Sequence, residues 1–131
     1  MKKTGVNKLK IANTFKSPRI DFDPDKGIFE ISGVSLLENT LEYYKPILSW
    51  LTRYLENPAA NSIIVFKLTY SNTSSLQFIY DIINLIYREH RKKTVLSVKW
   101  YYSEDDIDMK EIGEDYKESF DIDFSIIEES I

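Results

Sequence analysis

Cysteine is absent from this chain of 131 residues, so it has no disulfide framework, no thiolate nucleophile and no cysteine zinc site. His90 is the single histidine, which rules out a His-rich zinc centre as well. The four glycines, at 5, 27, 33 and 113, are too scattered to form GxGxxG or GxxxxGKS/T, and no HExxH occurs, so the usual nucleotide loops and the zinc-protease helix are missing. No stretch approaches the roughly 18 apolar residues of a membrane span. The basic opening MKKTGVNKLK has no apolar run behind it to make a signal peptide. The expectation is a soluble cytoplasmic protein that needs no cofactor.

What is present is material for a core. Hydrophobic residues make up 43% and aromatics 14%, enough to offset the entropy of ordering one domain of this length. We assign a single domain to 1–131, with its core over about 8–128. The net charge of -4 conceals an asymmetry: residues 1–19 carry six Lys or Arg and no acid, and the rest carry eleven basic against twenty-one acidic groups. An acidic balance of this kind does not favour nucleic acid as partner.

Periodicity then sets the order of elements. Leu9, Ile11 and Phe15 mark a first strand, and Ile20 to Phe22 and Ile28 to Ile31 flank the turn Pro24-Asp25-Lys26-Gly27 as a hairpin. Leu41, Tyr44, Leu48, Leu51 and Leu55 predict a helix ending near Glu56, kinked by Pro46 or divided there in two. Ser62 to Leu68 is almost continuously apolar and reads as a central strand covered on both faces. Leu76, Ile79, Ile83, Ile86 and His90 predict a second helix to about Arg91, with His90 in a capping or packing role. Thr94 to Trp100 is another strand, Ile107, Ile112 and Tyr116 a loose helix, and Phe120 to Ile126 a half-exposed last strand. Helices returning between apolar strands call for parallel crossovers, hence an α/β fold with helices packed over a sheet.

Two segments could carry chemistry. Residues 104–118 hold eight acidic and two basic side chains. Glu104, Asp105, Asp106 and Asp108 could in principle hold a divalent ion for a hydrolase, but the spacing is not that of a calcium loop, and a docking face for a basic partner is the better reading. The second segment, Asn72-Thr73-Ser74-Ser75, sits where the central strand meets a helix. Any of the four could cap that helix. The same helix start could take a phosphate, either on a free ligand or attached to a hydroxyl of Thr73, Ser74 or Ser75.

Phe22-Asp23-Pro24 through Gly27, Ile31-Ser32-Gly33, Glu38-Asn39, Tyr44-Lys45-Pro46, Trp50-Leu51, Phe66-Lys67-Leu68, Asn72-Thr73-Ser74-Ser75 and Trp100-Tyr101-Tyr102 stand in an order that identifies a family. The chain resembles the SiaC-like regulatory phosphoproteins, small bacterial proteins related in fold to the STAS domains of anti-sigma factor antagonists. The resemblance implies a STAS-like mixed β-sheet and a non-enzymatic switch. It implies control by a dedicated Ser/Thr protein kinase and a PP2C-type phosphatase, and an unphosphorylated form that activates a diguanylate cyclase in cyclic-di-GMP signalling. The phosphorylated residue would be Thr73, with Tyr70, Asn72, Ser74, Ser75, Trp100, Tyr102, Glu104, Asp105 and Asp106 binding the partner or supporting the site. The chain departs from the family pattern at Ser71 and at Leu76-Gln77, which bears on the identity of the partners.

Overall fold

The computed structural model describes residues 5–90 and 92–130; the expected helix end at Arg91 and the first lysines of the basic opening, Lys2 and Lys3, lie outside them. Nine elements follow one another: β1 (Leu9–Ile11), β2 (Arg19–Asp23), β3 (Ile28–Ser35), α1 (Thr40–Tyr54), β4 (Asn61–Ser71), α2 (Thr73–Tyr87), β5 (Val95–Tyr102), α3 (Ile107–Ser119) and β6 (Asp123–Glu128). They build one sheet whose spatial order repeats the chain order, β1-β2-β3-β4-β5-β6. β1, β2 and β3 pair antiparallel, and β3 to β6 pair parallel through the three helical crossovers.

The hairpin forms where its turn chemistry demands it. Asp23 accepts from the backbone N–H groups of Asp25 and Lys26, and Gly27 closes the turn at φ 68°. A side chain at Gly27 would also run into the Asn61 carbonyl of β4, so the position excludes one twice over.

Register places every large buried strand residue on one face. Phe22 opposes Phe29, Phe29 opposes Ile64, Ile64 opposes Val98 and Val98 opposes Phe124. The next row runs through Ile20, Ile31, Phe66 and Trp100. Each such side chain contributes about 1.5–3 kcal/mol when fully buried. All three helices cover this face. Trp50 and Tyr54 of α1 lie against Phe29, and Trp100 supports α3 at Gly113. Ile63 and Val65 on the opposite face are only half-buried, so β4 is covered on one side and not on two as its apolar run suggested. Crossovers of a single hand between strands laid down in sequence keep every helix on the same side.

On that open face Lys8, Lys10 and Arg19 of the basic N-terminal segment meet acidic partners. Lys10 stands opposite Asp21, Lys8 pairs with Asp23 at 3.6 Å, and Arg19 reaches both Asp21 at 3.0 Å and Glu30 at 3.1 Å.

Four local expectations are corrected. α1 passes through Pro46 without dividing; only the Glu42 carbonyl loses its partner, in an exposed turn. Its buried stripe is Tyr44, Ile47, Trp50, Leu51 and Tyr54, and Leu41 is 60% exposed. Phe15 lies beyond a β1 of three residues and is 83% exposed. α2 stops before His90, whose Nδ1 accepts from the N–H of Leu96 and so ties the helix exit to β5.

Candidate functional site

The carboxyl ends of β3, β4 and β5 and the starts of the helices that follow them form one edge of the molecule. Thr73 opens α2 there, immediately after the Asn72 cap. Asn72 is the hub. Its Oδ1 accepts from the Ser75 N–H at 3.0 Å, its Nδ2 donates to the Leu37 carbonyl at 3.0 Å, and its backbone N–H donates to Ser35 at 3.0 Å. With the Ser75 and Leu76 N–H groups both satisfied by Asn72, those of Thr73 and Ser74 are left free at the helix start.

The four capping-type residues divide their labour. Thr73 and Ser74 are exposed, and the Ser74 hydroxyl leans on Asn72 Oδ1 at 3.4 Å. Ser75, expected to cap, is completely buried and belongs to a chain of hydroxyls beneath the site. Ser35 Oγ donates to Ser75 Oγ at 2.7 Å, which uses its only proton, so Tyr44 must donate to Ser35 across 3.0 Å. Burial pushes the Tyr44 phenol up to about 12, against a smaller opposing effect of the Ser35 bond. The chain joins α1, β3 and α2 directly under Thr73. Helical spacing makes Tyr44 an apolar stripe residue; the need of a buried phenol for a partner is the signal of this relay.

The remaining predicted residues fall into two groups. Trp100 is fully buried and donates its indole N–H to the Met109 carbonyl at 2.9 Å, so its part is support for α3. Asp106 is the α3 cap, accepting from the Met109 N–H at 3.1 Å. Tyr70 is 56% exposed, Tyr102 is half-buried with Lys110 Nζ 5.8 Å from its ring centre, and Glu104 and Asp105 are exposed. Glu104 and Asp105 line an open cleft of about 560 Å³ with Ser103, Glu128, Glu129 and Ser130, in which every charged side chain is acidic. With Asp106 committed to the cap, the carboxylates of this loop do not converge. Among the described residues no three His, Cys, Asp or Glu side chains come together as a metal site. The described residues also contain no helix long and apolar enough to cross a membrane.

Beside Thr73 lies a second opening that sequence reasoning missed. Leu76, Gln77 and Tyr80 of α2 face Ile112, Asp115 and Tyr116 of α3 across an open groove of about 360 Å³, with Thr73 at its lip. Tyr116 bridges it from below by donating to the Leu76 carbonyl at 2.8 Å. Burial pushes its phenol up to about 12, with Asp81 and Tyr80 adding to the shift.

The fold recurs in known proteins. A protein of Pseudomonas aeruginosa strain UCBPP-PA14 is 27% identical over 121 residues, which span 92% of this chain and 96% of that one. The solved structure of SiaC of Pseudomonas aeruginosa superposes with a TM-score of 0.86 at 27% identity, covering 95% of this chain and 100% of its own. A crystal structure of the diguanylate cyclase SiaD in complex with its activator SiaC, from the same species, matches with a TM-score of 0.85 at 27% identity over 92% of this chain and 99% of that one. Residues 11–129 match the SiaC family throughout, and the chain therefore belongs to the SiaC family of regulatory phosphoproteins.

Proposed function

We propose that the unphosphorylated chain binds and activates a diguanylate cyclase, and that phosphorylation of Thr73 breaks the contact. A Ser/Thr protein kinase adds the phosphate and a PP2C-type phosphatase removes it. The observation that carries this reading is the position of Thr73: an exposed hydroxyl on the first residue of α2, held rigidly from behind by Asn72 and the buried Ser75. Its likeness to an activator seen in complex with a diguanylate cyclase supplies the kind of partner.

Phosphate brings a charge of about -1.5 to -2 to that hydroxyl. The fold tolerates it, because two free N–H groups and the positive end of the helix dipole are at hand. A partner packed over a neutral threonine does not, because it must strip water from a dianion with no donor placed to receive it. Thr73→Ala should block phosphorylation and keep most of the binding; Thr73→Asp should fold normally and bind poorly. Mass spectrometry after incubation with the cognate kinase, with pull-down of the cyclase by each form, decides the matter. Phosphate on another residue, or equal binding by both forms, sinks the proposal.

A further inference from the structure

We infer that the α2–α3 groove beside Thr73 receives a short amphipathic helix of the effector, apolar toward α2 and carrying Lys or Arg along the flank that faces α3. This rests on the reading that the unphosphorylated chain binds an effector, and it names where and with what chemistry.

The shape comes first. Leu76 and Tyr80 are four residues apart on one helix and Ile112 and Tyr116 four apart on the other, so the two walls present apolar side chains at the pitch of a helix laid between them. From Thr73 to Tyr80 the α2 wall runs about 10 Å, two helical turns. The groove is open along its length, which suits a protein segment rather than a small ligand needing burial on most sides.

Charge supplies the chemistry of the occupant, because the two walls differ. From Thr73 to Tyr80, α2 carries no charged side chain, and its first charge, Asp81, is engaged by Gln77 at 3.1 Å. Around α3, Asp108, Glu111 and Asp115 are all exposed on the flank next to Ile112. Lys110 and Lys117 lie on the far side, about 160° and 140° around the helix axis from Ile112 at 100° per residue. Lys110 is further drawn to Glu114 at 3.9 Å. One rim is therefore neutral and apolar and the other purely acidic, a pattern complementary to a helix with one basic flank and repellent to an anionic membrane or to nucleic acid. Thr73 sits on the neutral wall, so a phosphate there meets the apolar side of the occupant and not its cations.

The test uses the full-length chain with two designed 15-residue helical peptides, alike in their leucine face and differing in having Lys or Glu along one flank. Amide shifts should move at Leu76, Gln77, Tyr80, Ile112, Asp115 and Tyr116, and the Lys peptide should bind about tenfold more tightly than the Glu peptide. Converting the rim with Glu111→Lys and Asp115→Lys should reverse that order, and should weaken the complex with the cyclase to a similar degree. Glu114→Lys, about 160° around α3 from Ile112, should change neither. Shifts on the open sheet face, equal affinity for both peptides, or a rim reversal without effect would each overturn the groove assignment. The peptide arm needs no cyclase. Groove binding of the Lys peptide that Thr73 phosphorylation leaves unchanged would support the groove and count against the phosphorylation switch.

Discussion

Asn72 commits its side-chain amide, its side-chain carbonyl and its backbone N–H to three different segments, and the position of Thr73 depends on all three. Asn72→Ala should cost about 0.5–2 kcal/mol from the lost cap alone, readable in urea unfolding. Asn72→Asp keeps the cap oxygen but loses the donor to Leu37, so it should fall between Ala and wild type. Ser75→Ala removes the acceptor at the end of the Tyr44-Ser35-Ser75 chain and leaves a buried hydroxyl without its partner, a loss of about 1–3 kcal/mol. That substitution leaves the exposed surface untouched, so a drop in stability with affinity kept would mark Ser75 as internal support. The polar cluster was legible in the sequence because four small hydrogen-bonding residues between two apolar runs have few other uses. Which of them caps, which is buried and which stays free was not. Asn, Thr and Ser are alike as capping groups, and only the direction in which α2 leaves the sheet separates them.

For the elements, α3 shows how closely a helix can be set by one missing side chain. A Cβ on Gly113 would come within 2.5 Å of Trp100 Cδ1, so the helix can rest on the indole only because residue 113 has none. Gly113→Ala should gain about 1 kcal/mol in helix propensity and lose more to overpacking, typically about 1–3 kcal/mol, for a net fall in melting temperature. A rise would show that α3 can lift off Trp100 freely. The acidic loop ahead of α3 divides similarly. Asp106 belongs to the cap, and Glu104 and Asp105 are free for docking. Glu104→Gln with Asp105→Asn should therefore leave the fold alone and weaken effector binding more in dilute than in concentrated salt, as titrations at two ionic strengths would report. Strand and helix order could be read from hydrophobic period, and so could the parallel pairing of β4 and β5. The face of α1 could not. Leu41 and Leu48 fit the spacing as well as Ile47 and Trp50 do, and the choice is made by Phe22 and Phe29, distant in sequence on the hairpin.

At the scale of the whole molecule, a single helical layer leaves one sheet face to water, and that face is kept soluble by crossed ion pairs between the basic N-terminal strands and Asp21, Asp23 and Glu30. The covered side holds the phenols that burial shifts. Burial pushes Tyr43, Tyr44 and Tyr116 each up to about 12; the Ser35 bond opposes the shift at Tyr44, and Asp81 and Tyr80 add to that at Tyr116. Each keeps its proton in the folded state while the unfolded chain gives it up near pH 10, so unfolding releases protons above that point. Stability should hold up to about pH 10 and fall between about 10 and 12, with part of the tyrosinate absorbance appearing only as the fold is lost. A titration in which all tyrosinate forms before any loss of circular dichroism would contradict this. Spatial order equal to chain order has a further meaning for how the molecule is made. A ribosome releases chain at about 5–20 residues per second, and each strand after the hairpin emerges to find its docking edge already built by the strand before it. The growing rim moves one strand at a time across the sheet, and no early segment has to wait for a late one. The rim comes to rest at β6, where Asp123 and Glu128 at its two ends discourage another chain from continuing the sheet.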